Sequence, residues 1–156
     1  MDQWPFAFIH FLERPVPIFI HLAAAKHGMP PLTCRGYGIR ADLTNGRLAF
    51  FILQSQWLRL RDYMGENSAV AVLLTAGTDN ESYQVKGIFE QLSPISAEDQ
   101  LKMEQQRKWT LAYFPSLVPL IAVSAANCVA ITLRVTSIYL QTPGPDAGSL
   151  LVERSQ

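Results

Sequence analysis

The sequence predicts an α+β fold, one domain built on a small, strongly curved antiparallel β-barrel of six strands with flanking helices. Three observations point there. Strand-like runs follow one another through short turns, the pattern of antiparallel meanders rather than crossover units. Asn45-Gly46, set between two such runs, is the pair that a two-residue hairpin demands. Gly36 and Gly38 interrupt one strand and Gly87 another, where a tight bend or a close ligand requires the missing Cβ. A short curved sheet of this kind closes most readily into a barrel. Side chains fill so small an interior, which leaves a cofactor only an external or intersubunit groove.

Each element has its own warrant. Residues 5–12 are apolar, with Pro5 suited to a first helical turn, and predict a helix laid over one barrel mouth. Pro15 and Pro17 end it. Ile18 to Ala25 reads as the first strand, 26–30 as the turn after it, and Pro31 to Ala41 as the second strand. Asn45-Gly46 leads into the third, Arg47 to Leu53. Ser55 to Met64 has helical spacing, with Trp57, Leu60, Tyr63 and Met64 on one side and Gly65 as the stop. Ala69 to Leu74 and Ser82 to Leu92 are the next two strands, joined by a turn at 77–80. Ser96 and Asp99 have capping-box spacing and predict a helix to about Tyr113, although no apolar stripe runs its length. Cys128 to Leu140 is the last strand, so the barrel strands lie between 18 and 140. The domain is expected over 1–148, with 149–156 a loosely held C-terminal tail.

At 156 residues the chain has the size of one domain and buries roughly two-thirds of its extended surface on folding. Hydrophobic residues make up 49% and charged ones only 17%. So weakly charged a chain exposes an apolar patch, and a partner subunit is the economical cover, so a homodimer is expected. Thirteen basic side chains balance thirteen acidic ones, so no field draws in nucleic acid or an anionic bilayer, and neither is expected as a partner. No charge falls between Lys108 and Arg134, a stretch long enough to cross a bilayer. Pro115, Ser116, Pro119, Ser124 and Asn127 break it up, and it reads as a buried helical or irregular segment before a core strand. The N-terminal residues show no basic region followed by an apolar core, so an export signal is not expected and the location is read as cytoplasmic. Cys34 and Cys128 lie in apolar or strand-like contexts without a CxxC pair and read as buried thiols.

Most signatures of catalysis are absent. The chain has no phosphate loop, nucleophile elbow, HExxH or calcium loop. Arg35-Gly36-Tyr37-Gly38 lacks the third glycine and the strand-to-helix setting of a dinucleotide fingerprint. His10, His21 and His27 have no convergent spacing, so structural or surface roles and no metal are expected. Glu13, Asp42, Asp62, Glu66, Asp79, Glu81, Glu90 and Glu98 scatter over turns and helix ends and single out no acid/base pair. Chemistry here would belong to a cofactor. Arg35 and Arg40 would stand ~16 Å apart on opposite faces of a flat strand, but a bulge at the glycines would turn both towards one anion. With Arg59 and Arg61 they make four guanidinium groups within twenty-seven residues, a set matched to a phosphate. The plainer alternative is pairing with Asp42, Asp62 and Glu66. Trp57, Tyr37, Tyr83 and Trp109 are candidates for stacking on a planar ligand and equally for packing.

Four runs together, PIFIHLAAAKHGMPPLTCRGYGIRADLTNGRLAFFI, LRLRDYMGENSAVAVLL, SYQVKGIFEQLSPISAEDQ and SIYLQTPGPDAGS, carry a family likeness. In their order and spacing, from about Pro5 to Gly148, the chain resembles the pyridoxamine 5'-phosphate oxidase-like family of FMN-binding split barrels. The resemblance implies a homodimer with FMN in the grooves between subunits and an oxidoreductase-type activity on an unspecified substrate, with hydride entering and leaving the flavin at N5. It implies Arg35 and Arg40 as the family's basic strand pair. It sets Ser55, Gln56, Arg59 and Arg61 near the family's Ser-Arg-Lys cluster, which this chain keeps only in part. No residues match those that bind the substrate phosphate of the true oxidases, so oxidation of pyridoxamine phosphate is not expected. Two further readings stay open, a dimeric barrel that binds without a tight cofactor and a haem-binding relative.

Overall fold

The computed structural model describes residues 3–65 and 67–154. Alternation builds its strands. In β1 (Ile18–Ala24), Ile18, Ile20, Leu22 and Ala24 point into the core, and the residues between them point out. β5 (Ala69–Ala76) alternates likewise, and the other strands are β2 (Leu32–Gly36), β3 (Ile39–Asp42), β4 (Arg47–Leu53), buried on both faces over Leu48 to Ile52, β6 (Ser82–Pro94), β7 (Cys128–Leu140) and β8 (Leu150–Glu153). All pair antiparallel in the order β2-β1-β5-β6-β7-β4-β3, with β8 added to β7. The antiparallel α+β split barrel with flanking helices expected from the sequence is what forms.

Its closure comes from one bent stretch of chain. β2 and β3 lie at opposite ends of the sheet order, yet only Tyr37 and Gly38 separate them in sequence. The Tyr37 N–H donates to the Phe51 carbonyl at 2.7 Å, and the Phe51 N–H donates to the Gly38 carbonyl at 3.1 Å. The first half of this chain therefore pairs with β1 and the second with β4, joining the two edges. The bend needs both glycines. A Cβ on Gly36 would lie 2.6 Å from Ile20 Cγ2, and one on Gly38 would lie 2.6 Å from Phe51 Cδ2. The β3–β4 hairpin contains Asn45-Gly46 as predicted, but in a four-residue loop over 43–46 rather than a two-residue one, with Gly46 at φ +70° and the Asn45 amide donating to Asp42 Oδ2 at 2.8 Å.

The barrel is filled by Ile20, Leu22, Leu48, Phe50, Ile52, Val72, Leu74, Val85 and their neighbours. One mouth is stoppered by α1 (Phe6–Leu12), whose Phe8 and Phe11 are fully buried. Phe8 meets Tyr83 edge-on at 5.3 Å and stacks on Trp4 at 5.8 Å, and the Trp4 indole N–H donates to the Leu43 carbonyl at 2.7 Å. Arg14, just past the helix, pairs with Asp79 at 2.9 Å and Glu81 at 2.6 Å and ties this stopper to the β5–β6 turn. α2 (Gln54–Leu60) continues from β4 and buries Leu60, with Trp57, Tyr63 and Met64 half-buried beside it. α3 (Ala97–Tyr113) lies against the outer wall, begun by the predicted capping box between Ser96 and Asp99. α4 (Val118–Ile121) is a single turn beyond it.

Several expectations need correction. The six predicted strands become eight. Pro31 to Ala41 divides at the bend into β2 and β3, and the tail at 149–156, expected to be loosely held, contributes β8. Of that tail, 155–156 lie outside the described residues. The uncharged segment before β7 was expected to be buried, but Leu111 and Leu120 are 60% and 53% exposed. The barrel interior is already full, and Pro115 and Pro119 prevent a helix long enough to pack along the wall. Among the described residues no helix is long and apolar enough to cross a membrane.

Gly36→Ala is expected to cost about 1–3 kcal/mol, because the new methyl meets β-branched Ile20 in a filled interior. Urea denaturation followed by circular dichroism measures it as a lowered midpoint.

Candidate functional site

Residues directly opposite across an antiparallel pair share a face of the sheet. Arg35 is opposite exposed His21, while its neighbours Cys34 and Gly36 are opposite Leu22 and Ile20 in the core, so Arg35 points out of the barrel. Arg40 is opposite Ala49, which lies on the same side of β4 as Phe51, while Leu48, Phe50 and Ile52 fill the interior. Arg40 therefore points out as well. On a regular strand a separation of five would put the two arginines on opposite faces. The glycine bend shifts the alternation and sets both on the outer wall.

They flank α3 and line separate cavities. The Arg40 Nε donates to Asp99 Oδ1 at 2.7 Å, and the Asp99 carboxylate is fully buried at the first turn of α3. Arg40 also lines a hollow of about 190 Å³ with Asp42, Arg47, Gln91, Ser93 and Thr132. Arg35 lines a cavity of about 20 Å³, room for one water-sized group, with Tyr37, Met103, Gln106, Arg107 and Thr110. From Asp99 to Gln106 the helix rises ~10 Å, which sets the spacing of the two arginines along it.

The inward face of α3 explains why no apolar stripe was visible. Asp99, Met103, Gln106 and Thr110 recur at helical spacing, and three of the four are polar. Gln106 Oε1 accepts the Ile18 N–H at 2.9 Å, and the Thr110 hydroxyl donates to the Gln106 carbonyl at 2.8 Å. Arg107 Nη2 donates to the Val123 carbonyl at 2.8 Å. Its Nε is buried and finds no acceptor among the described residues. A buried donor left unpaired costs about 1–3 kcal/mol. Arg107 and Met103 also line a larger cavity of about 360 Å³ with Gln100, Glu104, Val123 and Ser124. Neither Arg35 nor Arg107 makes an ion pair with a described residue. Nothing in the sequence around Arg107 marks it, because it stands in a polar run of α3 far from the arginines beside Gly36 and Gly38. The spacing of Asp99, Met103, Gln106 and Thr110 was the available signal for this face of the helix.

The remaining predicted residues are placed elsewhere. Ser55 and Gln56 stand in the first turn of α2 at the end of β4. Arg59 and Arg61 are exposed at its far end, beside residues that reach the turn after β1, where Lys26 Nζ donates to the Asp62 carbonyl and the Tyr63 hydroxyl donates to the Pro30 carbonyl. Glu66 lies outside the described residues. Arg40 takes Asp99 as its partner, and Asp42 instead accepts from Asn45. Trp57 packs on Phe89 at 5.5 Å and Tyr83 lies inside the barrel, which leaves Tyr37 and Trp109 as the aromatic candidates near α3. Among the described residues no three of His, Cys, Asp and Glu come together as a metal site.

The local electrostatics are positive and partly dry. The His21 imidazole, across from Arg35, is held below its ordinary range, first by burial and then by the guanidinium charge. Burial raises the Tyr37 phenol, with Arg35 opposing it. Burial alone pushes the Cys34 and Cys128 thiols up to about 11.

No family model matches the chain, and no curated protein sequence does either. Its architecture, however, has counterparts among crystal structures. One is a candidate pyridoxamine 5'-phosphate oxidase of Lactobacillus delbrueckii, at 11% identity over 89% of this chain and 95% of that one, with a TM-score of 0.50. Another is a pyridoxamine 5'-phosphate oxidase-related, FMN-binding protein of Nostoc punctiforme, at 12% identity over 88% and 83%, with a TM-score of 0.51. The fold is the pyridoxamine 5'-phosphate oxidase-like split barrel. At such identity the likeness is one of fold.

Asp99→Ala removes both the cap of α3 and the partner of Arg40, and is expected to lower stability by about 2–4 kcal/mol. Urea titration measures the loss, and faster amide exchange in the first turns of α3 locates it. With thiols near 11, only about one thiolate per thousand exists at pH 8, so the folded protein should resist iodoacetamide there while the urea-unfolded chain reacts readily. Mass spectrometry counts the adducts.

Proposed function

We propose that this split barrel is an FMN-binding, oxidoreductase-type protein that acts as a homodimer, with the flavin in the groove between subunits beside α3. One observation carries the reading. The Arg107 Nε is a buried donor without an acceptor among the described residues, and Arg107 and Arg35 line the same small cavity. Two guanidinium groups that line one small space and have no carboxylate partner among the described residues favour an acceptor-only oxyanion such as a phosphate oxygen. The fold shared with an FMN-binding protein supports flavin mononucleotide as the molecule that bears it.

The residues present fit such a group in part. Arg35 and Arg107 supply charge and directed N–H donors. Arg40 keeps both Nη groups available while Asp99 holds its Nε, so it is oriented rather than consumed. Ser55 and Gln56, at the end of β4, are candidates for further polar contacts. Arg59 and Arg61 at the far end of α2 have the weakest claim. Tyr37 and Trp109 are the rings available to border a planar system, and the 360 Å³ cavity has the volume of a small-molecule site. A bound flavin supplies hydride transfer; the chain supplies position, positive potential and exclusion of water.

A second reading has its own support. A cavity of about 20 Å³ admits one water-sized group, and a barrel that binds a small anion without any cofactor needs no more.

The visible spectrum of freshly purified protein, followed by FMN titration, separates the two. The flavin reading expects a yellow protein or uptake of added FMN at micromolar concentration. Arg35→Ala combined with Arg40→Ala should weaken that uptake by about tenfold or more, given the usual worth of charge-assisted hydrogen bonds. The circular dichroism spectrum should stay unchanged. Equal flavin affinity in the folded double variant removes the phosphate assignment. A colourless protein that takes up inorganic phosphate but not FMN supports the second reading.

A further inference from the structure

The pairing register maps the outer face of the sheet around β1. His21, exposed, stands directly opposite Arg35 on β2 and opposite Leu73 on β5, with Gln84 of β6 beyond Leu73. One row along, Ala23 stands between Thr33 and Ala71, with Lys86 beyond. In the other direction along β1 comes Phe19, opposite Thr75. The charged groups that face His21 from these strands are Arg35 and, further off, Lys86, and none of these neighbours is a carboxylate. Residues directly opposite in an antiparallel pair hold their Cβ atoms about 5 Å apart, so the imidazole and the Arg35 guanidinium share one patch. The cavity of about 20 Å³ that Arg35 and Arg107 line is bordered on this side by Phe19, which lies on the same side of β1 as His21 and about 7 Å along it.

We propose that His21 is a further binding residue of the anion site at Arg35, donating as an imidazolium to the oxygens of a tetrahedral dianion that the small cavity leaves outside. The inference rests on the reading that Arg35 and Arg107 hold an oxyanion, and it adds the group that completes their hold. Size makes the first part of the case. A cavity of about 20 Å³ takes one water-sized group, so a phosphate-type anion seats one oxygen there and keeps the others out. His21 is outside the cavity wall and directly across from Arg35, placed to meet them. Charge makes the second part. In the free protein burial, and then the Arg35 charge, hold the imidazole below its ordinary range. An anion on Arg35 offsets that charge and favours the imidazolium, so binding takes up a proton. Since the bound imidazole titrates higher than the free one, the gain in affinity is complete below the free range and is lost as the pH rises through the bound range.

Calorimetric titration of the full chain with sulfate, which keeps both its charges from about pH 5 to pH 8, tests this. Sulfate affinity of the unmodified protein should fall by about tenfold across that range, the scale of one charge-assisted hydrogen bond. Repeating the titration in buffers of different ionisation enthalpy should show a proton taken up with the anion. His21 is exposed, so His21→Asn should keep its far-ultraviolet circular dichroism, while its sulfate affinity no longer varies with pH and the proton uptake is lost. His10 on α1 and His27 in the turn after β1 remain in that variant, which assigns the lost pH dependence to His21. His21→Lys fixes the charge, should bind sulfate tightly across the whole range, and serves if His21→Asn misfolds. Unmodified protein whose Arg35-dependent sulfate binding ignores pH overturns the role of His21 and leaves the oxyanion site standing. The same pH dependence in either folded His21 variant overturns it as well. No sulfate binding at any pH, or binding indifferent to Arg35→Ala, overturns both His21 and the oxyanion site. FMN uptake is scored separately: a colourless protein that binds sulfate with a proton upholds His21 and counts against the flavin.

Discussion

Everything on the outer wall depends on a bend that only a chain lacking two Cβ atoms can make. β2 and β3 are one length of chain, and the turn between them carries it from β1 on one edge of the sheet to β4 on the other. Ile20 and Phe51 sit where those Cβ atoms would be, so closure and packing are the same contact. The bend has a second consequence of equal weight. It resets the alternation of side chains, so that Arg35 and Arg40, five residues apart, emerge on the same side. The barrel's closure and its cationic wall thus share one cause.

α3 occupies the ground between those arginines by polar rather than apolar attachment. Asp99 closes the capping box and holds Arg40, Gln106 receives the Ile18 amide, and Arg107 is anchored through Val123. A helix held by directed bonds leaves small polar spaces behind it where an apolar helix would have squeezed them out. One of those spaces is lined by both Arg35 and Arg107, whose Nε finds no acceptor among the described residues. Its hydrophobic residues, displaced to the other side, then stand in water until something covers them. One inversion of polarity accounts for both the wet groove inside and the bare face outside.

The chemistry this wall can support is narrow. Among the described residues no metal cluster forms, and both thiols are suppressed by burial. What remains is positive charge with fixed geometry, half-buried aromatic rings and a cavity of small-molecule size. On the function proposed above, such a wall would bind and orient a molecule that brings its own reactivity.

Local signals in the sequence determined the local structure. Asn45-Gly46 marked its hairpin, the Ser96 and Asp99 spacing marked the start of α3, and runs of strand-forming residues marked β4 and β7 to the residue. These are contacts between near neighbours, and near neighbours are adjacent in the string of letters. The division of Pro31–Ala41 into two strands, the joining of β8 to β7, and the exposure of Leu111 and Leu120 were decided by tertiary packing. So was the placing of Arg35 and Arg107, seventy-two positions apart, on one cavity. A sequence records which side chains want a partner. Only the closed barrel, once full, determines which of them are left on the outside and beside whom.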